Sequence, residues 1–360
     1  MENANNQTML LNLIDRPAFC VKNNIITEVN LAAQQLQICT DTAISELIKE
    51  DLSAYESMKS GCLFLTLEIS GISLGASVLK ASECDIFTLE MPSDDVRLQA
   101  MALAAQQLRI PLSNVMTVAE QLMATIPTDE ESDIRKQVGQ MNRGLFQLLR
   151  IISNMADAQR YTNPDTFRLE PTEFNSLFTE IMEKAKHLLT GSNIHFSYSG
   201  LRHPVIGMAC PEALERAVYN ILSNAVKFSP KGSAVKAKLA ADGSMLRFSV
   251  LNDGKDITAQ LMSKVFARYQ RHPGIEDGRH GIGLGMTFVR SVANAHGGTV
   301  LIDQPDEGGT RVTMTLAVHM EESDIVRTPI MRLCDYAGGW DHSLLELSET
   351  LDSQCYDSQI

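Results

Sequence analysis

The chain has no apolar run near the roughly 20 residues that span a bilayer. Its opening, MENANNQTMLL, lacks the basic stretch of a secretory leader. No membrane helix or signal peptide is expected, which leaves a cytoplasmic location as the expectation. Positive charge is short: 31 Lys and Arg stand against 44 Asp and Glu, a formal net charge of -13. That balance argues against general binding to nucleic acid or an anionic membrane, since either needs a cationic face. Cysteine is sparse and odd in number, at Cys20, Cys39, Cys62, Cys84, Cys210, Cys334 and Cys355. Their wide spacing indicates neither a disulfide framework nor a zinc knuckle and leaves most of them as small core residues. No histidine precedes His187.

What is present is ordinary for a folded protein: 360 residues, enough for two or three domains, 44% of them hydrophobic and 21% charged. Four segments are expected. Residues 1–92 mix short apolar and alternating runs, such as Cys62 to Ile69, around an Asn23-Asn24 turn, and read as a small α+β unit. Within it PAFCVKNNIITEVNLAAQQL resembles the opening of a PAS domain: strand, turn, strand, then a helix beginning at an asparagine.

In residues 93–162, Leu98, Met101, Ala105, Leu108, Leu112, Val115, Ala119 and Leu122 alternate spacings of three and four, and Ile134, Val138, Met141, Leu145, Leu148, Ile152 and Met155 repeat the pattern. Pro127 separates the two runs. A helical hairpin follows, and its half-wet apolar stripe predicts pairing of two hairpins into a dimeric four-helix bundle. Residues 163–320 turn to α/β, with alternating strands around Ile194-Phe196-Tyr198, Val235-Ala237-Leu239, Phe248-Val250 and Val312-Met314-Leu316-Val318. Residues 321–360 carry nine acidic and two basic residues and read as an acidic tail or add-on.

Two motifs carry chemistry. In HGIGLGMTFVRSVANAHGG, Gly281, Gly283 and Gly285 open an apolar-periodic helix that His296-Gly297-Gly298 ends, and glycines there let backbone amides approach phosphate. In ERAVYNILSNAVKFSPKG, a helix puts Asn220, Asn224 and Lys227 at i, i+4 and i+7, along one face. Two amides and an ammonium suit a magnesium ion and a polyphosphate. A solvated polar face would explain Lys227, but less readily two asparagines, which form helices poorly.

The order of these blocks resembles the catalytic and ATP-binding domain of histidine kinases, in the GHKL superfamily, over about 150 residues. The resemblance puts Asn220, Asn224 and Lys227 on the N box, with Asn224 toward the metal. It puts Phe266-Ala267-Arg268-Tyr269 on the F box and Gly281-Ile282-Gly283-Leu284-Gly285 on the second glycine box. Gly308-Gly309-Thr310 falls on the turn before the last strand, and Arg271 to His280 on the nucleotide lid. It implies an α+β multidomain chain: a PAS-like sensor, the dimeric hairpin bundle, a Bergerat-type α/β sandwich binding ATP and Mg2+, and the acidic extension.

Two departures stand out. The family's D-x-G-x-G reads Asn252-Asp253-Gly254-Lys255-Asp256, so the residue that reads adenine is a neutral amide, able to accept but without charge. In AAQQLRIPLSNVM, Gln106 stands where the family has its phosphoacceptor histidine, Gln107 where it has the general base, and Ile110 where many members have a threonine or asparagine. A carboxamide offers neither nucleophilicity nor a useful pKa. The expected function is therefore a two-component type signalling protein that binds ATP without phosphorylating itself, a homodimeric pseudokinase switch or scaffold. Two other readings stay open: a kinase acting on a partner's histidine in trans, and a docking protein for a response regulator.

Overall fold

Asn23 and Asn24 take φ values of 50° and 66°, left-handed conformations that a tight hairpin demands and asparagine tolerates. They turn β1 (Ala18–Lys22) into β2 (Ile25–Val29). The computed structural model describes residues 11, 14, 16–48, 52–80, 84–90, 94–125, 133–160, 166–254, 285–318 and 339–356. Asn30 caps α1 (Leu31–Gln35), its Oδ1 accepting from the N–H groups of Ala33 at 2.9 Å and Ala18 at 3.0 Å. The expected strand, turn, strand and asparagine-capped helix are all formed. Then come α2 (Ile44–Leu47), α3 (Leu52–Ser57), β3 (Gly61–Ile69), β4 (Ile72–Lys80) and β5 (Asp85–Leu89).

These five strands are antiparallel in the order β2-β1-β5-β4-β3. Their core holds Phe19, Ile26, Leu65, Val78 and Phe87, with the Phe19 and Phe87 rings stacked at 4.9 Å. Cys20 and Cys62 are buried, and burial pushes each thiol up to about 12, as inert core residues.

Helices α4 (Asp94–Thr125) and α5 (Asp133–Arg160) pack along each other. α4 runs through Pro111, whose ring deprives the helix of one N–H. The three-four seam splits into two arcs. Ala105, Leu112 and Ala119 are buried, whereas Leu108, Val115 and Leu122 are 50%, 51% and 52% exposed. On α5, Leu145, Phe146, Leu149 and Ile152 are buried while Ile134, Met141 and Leu148 stay exposed. The expected break around Pro127 lies outside the described residues.

The α/β region begins with β6 (Glu170–Glu173), whose Glu173 caps α6 (Phe174–Leu189) by accepting from Asn175 N–H at 2.9 Å and Ser176 N–H at 2.7 Å. It continues through β7 (His195–Ser199), β8 (Ile206–Ala209), α7 (Pro211–Lys227), β9 (Ala234–Asp242), β10 (Met245–Asn252), α8 (Gly285–Ala295), β11 (Val300–Asp303) and β12 (Thr310–Ala317). Strands pair in the order β11-β12-β10-β9-β7, antiparallel except β7 with β9, and β6 pairs with β8 apart. The alternating Val235, Ala237, Leu239, Phe248, Val250, Met314 and Leu316 are buried in one core with α6, α7 and α8.

Two arrangements were not expected. First, β3 pairs with β11, Leu63 opposite Leu301 and Cys62 opposite Ile302, so both sheets join into one of ten strands. Arg290 of α8 reinforces the join with a bidentate pair to Glu90, at 2.8 and 2.7 Å, and its guanidinium stacks 3.6 Å from the Phe64 ring centroid. Second, residues 339–356 of the acidic extension fold and pack against the rest of the chain. They fold as α9 (His342–Glu346), capped by Asp341, and a 3-10 turn at Ser353–Tyr356. Leu344, Leu345, Leu347, Leu351 and Tyr356 are buried in the core shared with α5 and α7. Burying such side chains releases about 1.5–3 kcal/mol each. Among the described residues no helix is long and apolar enough to cross a membrane.

Candidate nucleotide site

α7 starts at Pro211, whose missing N–H costs nothing at the first helical position, and ends at Lys227. Asn220 is 1% exposed, Lys227 is buried along its stem, and Asn224, between them, is half-buried. Gly285 opens α8 directly over Asn220: a Cβ there would lie 2.7 Å from Asn220 Oδ1, so a larger residue would have to push that buried amide aside.

At the C-terminal end of α7, Asn252 closes β10 and is buried. With its amide oriented by the surrounding network, Nδ2 donates to the Thr310 carbonyl at 3.0 Å and Oδ1 accepts from Gly254 N–H at 3.1 Å. An aspartate could not make the first of these bonds, which gives the asparagine a local reason. Its second oxygen lone pair is left for another donor. A Cβ on Gly254 would meet the Phe228 carbonyl at 2.8 Å, and one on Gly309, at φ 82°, the Asn252 carbonyl at 2.3 Å. Thr310 is buried, and its Oγ1 has no hydrogen-bond partner among the described residues. Asp253 does not face the cluster, since its Oδ2 accepts from Ala234 N–H at 3.0 Å.

The structure thus gathers Asn252, Gly254 and Thr310 at one end of α7, and Asn220 with Gly285 along it. Lys255, Asp256, Arg268, Arg271 to His280, Gly281, Gly283 and Leu284 lie outside the described residues. Gln106 and Gln107 are exposed on α4. His296 is structural: its ring Nδ1 lies 2.7 Å from the Val292 carbonyl, and Nε2 accepts from Cys210 N–H at 2.9 Å. This fixes a neutral tautomer with the proton on Nδ1, and burial lowers its pKa.

Five charged residues, Glu346, Glu349, Arg150, Arg216 and Asp157, were missed. Glu346, fully buried, accepts from Arg150 Nε at 3.2 Å, Arg216 Nε at 3.1 Å and Asn220 Nδ2 at 3.2 Å. Glu349 takes Lys227 Nζ at 3.1 Å. Arg216 also reaches Asp157 at 2.5 Å and Asn154 at 2.8 Å. The available signal was the spacing of Leu344, Leu345, Leu347 and Leu351, which a solvated acidic tail does not need.

Residues 209–320 match the family model described as histidine kinase-, DNA gyrase B-, and HSP90-like ATPase. The region is therefore similar to ATPase domains of that family. The chain is 27% identical over 240 residues to hybrid signal transduction histidine kinase D of Dictyostelium discoideum, covering 62% of this chain and 15% of that protein. It is 27% identical over 207 residues to sensor protein QseC of Salmonella typhi, covering 57% of this chain and 44% of that one. These findings support a member of the histidine kinase family. Full-length ShkA in complex with AMPPNP aligns at 22% identity and a TM-score of 0.49, over 62% of this chain and 47% of that one. The chain spans 15% to 44% of the length of the first curated relatives it matches.

Proposed function

We propose that the chain is a histidine kinase-like signalling protein that binds ATP with magnesium but has no phosphoacceptor of its own, and acts as a homodimeric switch or scaffold. The observation that carries the nucleotide reading is the approach of Gly285 to Asn220, beside a strand-end cluster of Asn252, Gly254 and Thr310. In this reading Asn252 and Thr310 meet the adenine, Lys227 and the glycine loop ending at Gly285 meet the phosphates, and Asn224 meets the metal. A bound metal would draw charge from the phosphate oxygens, and the chain's own residues hold and orient.

The absence of self-phosphorylation rests on Gln106 and Gln107, neutral amides where the resemblance has a nucleophile and a base. A PAS-like reading of the five-stranded unit is supported by its asparagine-capped opening. Through Arg290 that unit touches the helix that begins at the glycine loop. The half-exposed arc of Leu108, Val115 and Leu122 supports a dimer made by the hairpin, and such a bundle would present α4 to a response regulator or partner kinase. Calorimetric titration with ATP, with and without magnesium, tests the reading: no heat at millimolar nucleotide ends it.

A further inference from the structure

The C-terminal residues engage the N-box helix at two of the three positions through which nucleotide is proposed to bind. Asn220 Nδ2 donates to Glu346 Oε2 at 3.2 Å, and Lys227 Nζ lies 3.1 Å from Glu349 Oε2. Arg150 of α5 spans both carboxylates, its Nε 3.2 Å from Glu346 and its Nη1 3.3 Å from Glu349. Carboxylate and phosphate oxygens seek the same cationic and amide donors. Glu346 is 0% and Asn220 1% exposed, so a phosphate reaches this amide only when the carboxylate has left. The glutamates cannot leave singly, because Leu344, Leu345 and Leu347 are buried between and beside them.

We infer that residues 339–356 are an intramolecular competitor for the nucleotide site: Glu346 and Glu349 hold the donors that a polyphosphate takes, and the docked segment and the nucleotide exclude each other. The inference rests on the nucleotide reading above and names the regulation of that site. The same segment also grips the second hairpin helix. Arg143 Nε and Gln147 Nε2 donate to the Ser348 carbonyl at 3.3 and 3.1 Å, and Asn142 Nδ2 to the Tyr356 carbonyl at 3.3 Å. Docked, it ties the hairpin to the ATPase-type domain; displaced by nucleotide, it unties them. The two states are therefore a closed, nucleotide-free form and an open, loaded one.

Trp340, the only tryptophan in the chain, lies in the docked segment with its ring edge-on to Phe146 at 5.7 Å, so it reports docking. The full chain is titrated with ATP and magnesium while calorimetry and Trp340 emission are read together. Saturation is expected to shift the emission to the red and raise its quenching by acrylamide. Glu349→Gln, which removes the negative charge that Lys227 meets at the rim of the cluster, is expected to tighten binding about tenfold, as a larger competent fraction requires. Glu346→Gln is the harsher variant, since it takes one carboxylate from each of the buried Arg150 and Arg216 and leaves them Glu349 and Asp157. Equal affinity in wild type and Glu349→Gln, with Trp340 unmoved on binding, overturns the competition and leaves the nucleotide reading standing. A Glu349→Gln protein that is folded by circular dichroism yet binds no ATP at millimolar concentration overturns both.

Discussion

Asn220 and Glu346, 126 positions apart in the chain, meet through one hydrogen bond of 3.2 Å between two side chains hidden from solvent. The amide belongs to the motif that resembles a nucleotide-binding helix, and the carboxylate to a segment with no motif at all. Arg150 and Arg216 complete the contact, so the buried charge is paired on both oxygens.

Asn224 and Asn252 should separate the metal from the base. Asn224→Ala is expected to weaken ATP binding several-fold only when magnesium is present, and Asn252→Ala to weaken it by a similar factor with or without the ion. Calorimetry in magnesium and in chelator distinguishes them. An identical metal dependence for both variants would show the assignment to be wrong.

Restoring the missing chemistry is a separate test. The wild-type chain incubated with labelled ATP and magnesium is expected to form no acid-labile phosphohistidine, because Gln106 has no nucleophile to offer. Label on the double variant Gln106→His, Gln107→Glu would show that only the acceptor had been lost. Label on a histidine of the unmodified chain refutes the pseudokinase reading.

The dimer is best probed where the seam faces outward. Leu112 is buried inside its own hairpin, so a charge there would threaten folding as well as assembly, whereas Val115 is half exposed. Val115→Glu is expected to keep the helical content and give monomers, since a dry bundle seam rejects an unpaired charge at a cost of several kcal/mol. Light scattering that still reports a dimer would place the interface elsewhere.

His296 should make the fold sensitive to acid. Its folded pKa lies below the ordinary imidazole value of 6.5 because burial disfavours the charged ring. Above 6.5 both folded and unfolded states are neutral and the contribution is intact. Below it the unfolded chain takes a proton that the folded one refuses, and stability falls as pH drops toward the folded pKa, by at most about 1.4 kcal/mol per pH unit for one proton. Urea unfolding between pH 7.5 and 5.5 should show a shallower slope for His296→Gln than for wild type. Parallel slopes would remove this histidine from the account.

Much of the fold was legible because it is local. Asn23-Asn24 and Asn30 specify the first hairpin and helix by backbone preference and capping, and alternating residues such as Val235, Ala237 and Leu239 declare a half-buried strand. The i, i+4, i+7 spacing put Asn220, Asn224 and Lys227 on one helix, and the glycine that opens α8 did come to rest against Asn220. Pairings between distant segments carried no such signature. Nothing periodic marks β3 as the neighbour of β11, since a strand edge offers the same backbone donors and acceptors to any partner. Which arc of the α4 seam is buried depended on what packs against it, and Glu346 reads as one more solvated charge until tertiary packing closes over it. The sequence by itself determined the elements, the spacing of Asn220, Asn224 and Lys227 and the neutral amides of Gln106 and Gln107, all properties of short windows. Only the tertiary structure decided that the acidic C-terminal residues sit on the N-box helix, because burying a carboxylate depends on Arg150 and Arg216 converging from two helices far apart in the chain.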